Sequence, residues 1–292
     1  MQLIFHTGAH FTDRERLLKC LLNNKADFSR RGVAVPGPGR YRTLLKEAVV
    51  AMDDHPETAP GAREVLIDAI LDEETAERVI LSNQNFFGSP RFAVGGNRLY
   101  PLAARRMKQV HDLFPGDGIE MFMGLCNPAT LLPNVLAKAS RQAQAEILAE
   151  MDLEALRWSA TLAEVRRALP EMPITVWCNE DTPLIWAEII RAMGGLPPGE
   201  KITGGFDLLR ELMSQQGMRR FRAYLHQNKR LSEAQKRRVI AAFLDKYALE
   251  EALEQELDLP GWTEALVERL SDIYDRDMET IAALPGVRMI AP

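Results

Sequence analysis

The chain is poor in cysteine: Cys20, Cys126 and Cys178 are the only three in 292 residues, far apart and odd in number. A disulfide framework is therefore excluded as the source of stability, and a reducing, cytoplasmic setting is expected. Long apolar runs are also missing. No window approaches the roughly 18 uninterrupted apolar residues of a membrane span, so no membrane partner is expected. The opening MQLIFHTG has neither a basic n-region nor a long apolar stretch, so no signal peptide is expected. A basic surplus is absent: 36 Lys and Arg face 41 Asp and Glu, a formal charge of −5. That balance argues against a general nucleic-acid binder, although it leaves room for a local basic region. There is no internal repeat and no low-complexity segment.

What is present is ordinary globular material, 46% hydrophobic and 26% charged, enough for one large core or a core with an added subdomain. Apolar runs alternate with helical patterns through the first two thirds. LIFHT (3–7), VAVPGPGR (33–40), RVILS (78–82), IEMFMGLC (119–126) and PITVWC (173–178) read as strands. Helical spacing covers 13–32, 41–52, 61–77, 101–114, 130–169 and 183–195. Strands alternating with helices imply βαβ units, a mostly parallel central sheet and an α/β three-layer sandwich. From about residue 207 the pattern turns almost purely helical (207–226, 232–257, 262–284), with Ser232 and Gln235 forming a capping box at the middle helix. We expect an α/β core over 1–206, a helical C-terminal subdomain packed on it over 207–284, and a return strand and tail over 285–292, with VRMI (287–290) on the sheet edge.

Ligands of open parallel sheets bind beyond the C-terminal strand ends. Four stretches should converge there: His6 to Arg14, Ser82 to Asn85, Cys126 to Asn134, and Cys178 to Asp181. The first, GAHFTDRE, offers a Gly turn and a helix N-terminus suited to an anion. It lacks the full G-x-x-x-x-G-K-[ST] pattern, and Thr12 with Glu15 would equally make a capping box. Asn127 and Pro128 suit an N-cap and first helical turn. Glu180 and Asp181 suit capping or anchoring of a neighbouring loop. His6, His10, Cys126, Cys178, Glu180 and Asp181 are plausible zinc-ligand types, yet no close ligand spacing unites them, so no metal is expected. Trp158, Trp177, Trp186 and Trp262 sit in amphipathic or apolar patterns and are expected in the core.

Taken together, GAHFTDRE, NNKADFSRRGVAVPGPGRYR, VILSNQNFFG, FMGLCNPATLLPNVL and the closing YDRDMETIAALPGVRMI resemble the bacterial sulfotransferase-like family of the P-loop fold. The resemblance covers most of 1–195 and the last twenty residues. It implies a P-loop-type sandwich and a site for 3′-phosphoadenosine-5′-phosphosulfate, or its product nucleotide, built around Gly8, His10, Thr12, Arg14, Ser82, Asn127 and Asn134.

The departures fall where that chemistry would be done. The family lysine aligns with Phe11, the following Gly with Asp13, the next Thr with Arg14, and the 3′-phosphate Arg with Cys126. The Ser eight residues further on aligns with Asn134, and a glutamate aligns with Gln84. A neutral aromatic cannot stabilise charge on a leaving phosphate, and an amide cannot act as a base. At about 1.5–3 kcal/mol per charged hydrogen bond, losing the Lys and the Arg weakens nucleotide binding by roughly 3–6 kcal/mol, or about two to four decades.

The first expectation is therefore a binding or accessory protein with a degenerate donor site, no tightly bound cofactor, and a small anionic ligand or a protein as partner. The second is an active sulfotransferase with Arg14, Arg105 or Arg106 as replacement cations and His10 as the base. The third is an interaction module using the C-terminal helices, which would show an exposed apolar patch of more than a few hundred Å² there.

Overall fold

A computed structural model describes residues 1–55, 57–72, 74–253 and 259–292. The strands among the described residues are β1 (Gln2–His6), β2 (Val33–Ala34), β3 (Arg78–Ser82), β4 (Val94–Gly95), β5 (Arg98–Leu99), β6 (Gly118–Leu125), β7 (Ile174–Cys178) and β8 (Val287–Met289). Six of them form one sheet in the order β2-β3-β1-β6-β7-β8, with every pairing parallel. β4 and β5 form a separate antiparallel hairpin.

The sheet strands form where β-branched, aromatic and other apolar residues run without a helical period. β1, β2, β3, β6 and β7 are largely buried on both faces, as is usual in parallel sheets, while edge strand β8 is only partly covered. Side chains alternate between two cores. Leu3, Phe5, Leu81, Met121 and Val176 point into the larger one, with Leu45, Ile70, Met107, Leu162 and Tyr274 from the covering helices. Ile4, Ile80, Phe122 and Trp177 point into the other, against Leu17, Leu21, Ile185 and Ile189. The result is an α/β sandwich of three layers.

The chain leaves β1 toward β2 and β3 on one side, then crosses to β6, β7 and β8 on the other. The switch at β1 opens a crevice at the C-terminal ends of β3, β1 and β6.

The helix read over 13–32 is two helices, Arg16–Asn23 and Lys25–Ser29. They part at Asn24, whose amide donates to the Cys20 and Thr203 carbonyls, each at 2.8 Å, and accepts from the Thr203 N–H, also at 2.8 Å. The stretch read as helical over 130–169 divides into helices Pro128–Leu136, Arg141–Ala149 and Trp158–Ala168.

The C-terminal helices go to two places. Helix Glu264–Ala282 lies in the larger core's layer through Tyr274, Met278 and Ile281. Helices Asp207–Leu212, Gln215–Gln227 and Glu233–Tyr247 form a small core of their own around Leu209, Met213, Met218, Phe221 and Ile240. The helix read over 232–257 ends at Tyr247, with a short helix at Glu250–Leu253; its last residues, 254–257, lie outside the described residues. The Ser232 capping box is present: Gln235 N–H donates to the serine hydroxyl at 3.2 Å, and Ser232 N–H donates to the Gln235 amide at 2.8 Å. No helix among the described residues is long and apolar enough to cross a membrane.

Gly217 sets the close approach of the two long helices of this small core. A Cβ there would lie 2.9 Å from Tyr247 Cγ and closer still to Tyr247 Cβ. Alanine would gain about 1 kcal/mol of helix propensity but overpacks the contact at about 1–3 kcal/mol. We expect Gly217→Ala to lower stability by about 1 kcal/mol net. A urea midpoint equal to or above that of the native chain would refute this packing.

Candidate functional site

The turn after β1 stands at the crevice, and its backbone is unusual. Gly8, Phe11, Arg14 and Glu15 all have positive φ, at 56°, 69°, 46° and 64°. For three non-glycine residues in one turn this is a strained arrangement that the surroundings must hold.

The turn is pinned to the sheet by Thr7 N–H to Phe122 O at 3.0 Å and Ala9 N–H to Gly124 O at 3.2 Å. Gly124 packs tightly under it: a Cβ there would meet the Trp177 indole at 3.1 Å, so the indole would have to shift to admit one.

Thr12 and Glu15 do not form a capping box. The Thr12 hydroxyl donates to the Ala9 carbonyl at 2.7 Å and closes the turn on itself. Glu15 occupies the N-cap position in the left-handed conformation, without a side-chain cap bond. Asp13 caps the helix instead: its carboxylate accepts the Leu17 N–H at 3.2 Å and its carbonyl accepts the Arg16 N–H at 2.9 Å. The place where a helix N-terminus would hold an external anion thus holds the chain's own acid.

The cations stand elsewhere than expected. Arg14 is exposed and has no ion-pair or hydrogen-bond partner among the described residues. Arg105 and Arg106 both bind Asp53, at 2.7 and 2.8 Å, on the helices Arg42–Asp54 and Ala103–Leu113. The guanidinium that reaches the turn is Arg42, which sequence reasoning missed. It donates to Ser82 O at 2.8 and 3.0 Å and to Glu15 at 2.6 Å, so its charge is neutralised in place. Beside it the Tyr41 hydroxyl donates to Ser82 O at 2.8 Å and accepts the Ser82 N–H at 3.0 Å. The only sequence signal for this pair is its place just after the PGPGR turn.

His10 is buried, and its two ring nitrogens both have partners. Its own N–H donates to the Tyr100 hydroxyl at 2.7 Å, so that hydroxyl must give its proton to Nδ1, also at 2.7 Å. Nε2 then carries the hydrogen and donates to the Asn85 amide oxygen at 3.1 Å. The ring stacks on Tyr100 with centroids 5.6 Å apart, and Tyr100 stacks on Trp158 at 5.5 Å. Burial lowers the His10 pKa and pushes the Tyr100 phenol up. This is a neutral histidine fixed in one tautomer, with no lone pair left to take a substrate proton.

His6 is the reverse case. Nδ1 bonds the Ser82 hydroxyl at 2.8 Å, and the ring stacks against Trp177 at 5.9 Å. Its Nε2 is buried without a hydrogen-bond partner among the described residues. That nitrogen faces the inside of the turn: a Cβ built on Gly8 would lie 3.7 Å from it and 3.8 Å from the Thr12 hydroxyl. Burial lowers the His6 pKa, against an opposing pull from the Asp13 and Glu15 carboxylates.

The other two strand ends are structural. Asn127 accepts the Ala129 N–H at 2.9 Å as the N-cap of helix Pro128–Leu136, and donates to Ser271 at 2.8 Å. Asn134 donates to the Thr130 carbonyl of the same helix at 2.7 Å. Glu180 anchors the Cys126–Pro128 corner, accepting the Asn127 N–H at 3.0 Å and the Tyr274 hydroxyl at 2.9 Å. Burial raises the Cys126 thiol to about 12 and the Cys178 thiol to about 11, so neither is a thiolate nucleophile near neutral pH. No group of three or more His, Cys, Asp or Glu among the described residues is arranged to hold a metal ion.

A cavity of about 510 Å³ lies away from the turn, beside β8 and between helices Thr182–Met193 and Glu233–Tyr247. Two of its arginines are spoken for, Arg191 by Glu233 at 2.6 Å and Arg237 by Glu188 at 2.9 Å.

Of the residues singled out from the sequence, Gly8, His10, Thr12 and Ser82 converge at the crevice, Arg14 turns to solvent, and Asn127 and Asn134 serve their own helix. No protein-family model matches the chain, and no curated protein matches it significantly.

Proposed function

We propose that this chain is a sulfotransferase-like protein that works as a binding or accessory protein of the cytoplasm, with little sulfuryl-transfer activity. The observation that carries this reading is the self-sealed turn. Asp13 takes the helix N–H group that would bind an anion, and Glu15 neutralises Arg42, the guanidinium that reaches the turn. A phosphate entering there would meet two carboxylates and one already paired cation, which in a half-buried site is unfavourable by like-charge repulsion.

The reading of an active enzyme with a rebuilt site draws no support from Arg14, which is exposed and unpartnered, or from Arg105 and Arg106, which are bound to Asp53. His10 has no free lone pair to act as a base. Scaffold without donor binding is therefore the favoured reading, with 3′-phosphoadenosine-5′-phosphosulfate and its product nucleotide held at about millimolar strength or weaker.

Calorimetric titration with adenosine 3′,5′-bisphosphate is the test. The expected result is no saturating heat up to millimolar nucleotide. Micromolar binding that is lost in Arg14→Ala would overturn the proposal in favour of the rebuilt donor site.

A further inference from the structure

The charge of this protein is segregated, and the formal −5 conceals it. Residues 215–247 hold nine Lys and Arg against two acids, Glu233 and Asp245, a local charge of +7, which leaves −12 for the remainder of the chain. The segment is a helical hairpin: Gln215–Gln227, a turn at 228–232, and Glu233–Tyr247.

Its apolar stripe faces inward. Met218 and Phe221 on the first helix meet Ile240 on the second, with Phe243 stacked edge-on to Phe221 at 5.5 Å. That packing leaves the opposite arc to solvent. Arg219, Arg222, Lys229, Arg230, Arg238 and Lys246 are all exposed, and none has a carboxylate partner among the described residues. In the core, by contrast, Arg42, Arg63, Arg78, Arg106 and Arg191 each have an acid within 3.4 Å. Cations gathered on two adjacent helices repel one another, so the hairpin spends stability on a field that the rest of the surface does not share.

The surface shows what kind of partner fits. Among large apolar side chains of the hairpin, only Tyr224 stands well out to solvent, at 40% exposure. A single exposed ring gives little for docking into a protein groove or insertion into a lipid surface to use. What the arc offers is guanidinium, which is planar and matches phosphate bidentately. It also offers exposed amides, Gln215, Gln216, Gln227 and Gln235, beside one exposed aromatic ring. A row of this charge density is matched by a phosphodiester backbone, with one negative charge per roughly 1.7 Å of duplex axis.

We infer that the 215–247 hairpin is a docking surface for the phosphate backbone of a nucleic acid, contacted by Arg219, Arg222, Lys229, Arg230 and Arg238. The acidic remainder of the chain repels the same polyanion, so only this face engages. The inference is independent of the reading of the β1 turn, and a failure of one leaves the other standing.

The test is fluorescence anisotropy of the full chain with a labelled 20-base-pair duplex, as DNA and as RNA, across salt. With about four to six phosphates neutralised, the expected affinity falls by roughly two to three decades between 50 and 200 mM salt. The combined variant Arg219→Glu, Arg222→Glu and Arg238→Glu is expected to lose binding at least tenfold at 50 mM salt while keeping its circular dichroism and melting temperature. Lys138→Glu, an exposed cation outside the hairpin, is expected to bind as the native chain does. The inference is overturned if neither duplex binds at 50 mM salt. It also fails if the triple variant, folded, binds unchanged, or if phosphatidylserine vesicles are bound while both duplexes are not, which would assign the face to a membrane surface.

Discussion

Asp277→Ala is expected to remove about 3 kcal/mol of stability, a large share of what holds a domain of this kind together. Asp277 sits on helix Glu264–Ala282, is 4% exposed, and points its carboxylate at the start of helix Trp158–Ala168. One oxygen accepts the Trp158 N–H at 2.6 Å and the Ser159 N–H at 3.1 Å. The N-cap residue of that helix, Arg157, contributes no side-chain cap of its own, so the acid from a helix more than a hundred residues away does that work. A charged acceptor at a helix N-terminus satisfies orphan N–H groups and opposes the dipole, and each charged hydrogen bond is worth about 1.5–3 kcal/mol.

The loss propagates toward the crevice. Trp158 carries the Tyr100 ring at 5.5 Å, and Tyr100 fixes His10 through two hydrogen bonds. Asp277→Asn keeps an acceptor but not the charge and should cost about half as much. Urea unfolding of the two variants checks this; an Asp277→Ala midpoint equal to the native one would remove Asp277 as the cap that matters.

Acid should destabilise this protein well above the carboxylate range. His6 and His10 both have pKa values lowered chiefly by burial. In the unfolded chain each titrates near 6.5. Between that value and the lower folded value the unfolded state binds more protons, so the stability slope with pH is positive. The stability contributed by keeping them neutral is complete above about pH 6.5 and declines as pH falls toward their folded values. Each histidine adds up to about 1.4 kcal/mol per pH unit inside that window, or roughly 2.7 for the pair.

Asp53, Asp117 and Glu233, whose carboxyls are lowered by arginine, lysine or amino-terminal partners, add a slope of the same sign only at lower pH. Asp181, raised by burial, runs the other way. The urea midpoint at pH 5.5 should therefore lie well below that at pH 7.5, and His6→Gln with His10→Gln should flatten the difference. A native midpoint unchanged between the two pH values would show that neither histidine is held neutral by the fold.

Much of the site was legible one residue at a time and illegible as a site. Gly8 was readable as a turn residue because its position between an apolar strand and a helix calls for positive φ, which it adopts at 56°. Asn127 was readable as an N-cap because a cap bond is local, reaching two residues ahead. Thr12 and Glu15 had the spacing of a capping box and did not form one. Glu15 found Arg42, 27 residues on, and Asp13 was left to bond Leu17. His10 looked like the remaining base, and Tyr100, 90 residues away, removed its free lone pair.

The sequence by itself determined the strands of the parallel sheet and the helical run after residue 207, while the β4–β5 hairpin was not legible in it. Apolar period, Gly and Pro punctuation and capping boxes act within one turn or one strand, and the backbone responds to them locally. The reversal of charge within 215–247 was also written there, though the whole-chain sum hid it. Only the tertiary structure decided which acid met which cation, which histidine was satisfied and which was orphaned, and that helix Glu264–Ala282 joined the larger core while the hairpin kept its own. Those outcomes depend on groups brought together across 27 to 119 residues of chain. Desolvation on packing sets the cost of leaving any one of them unpaired, and no local spacing encodes it.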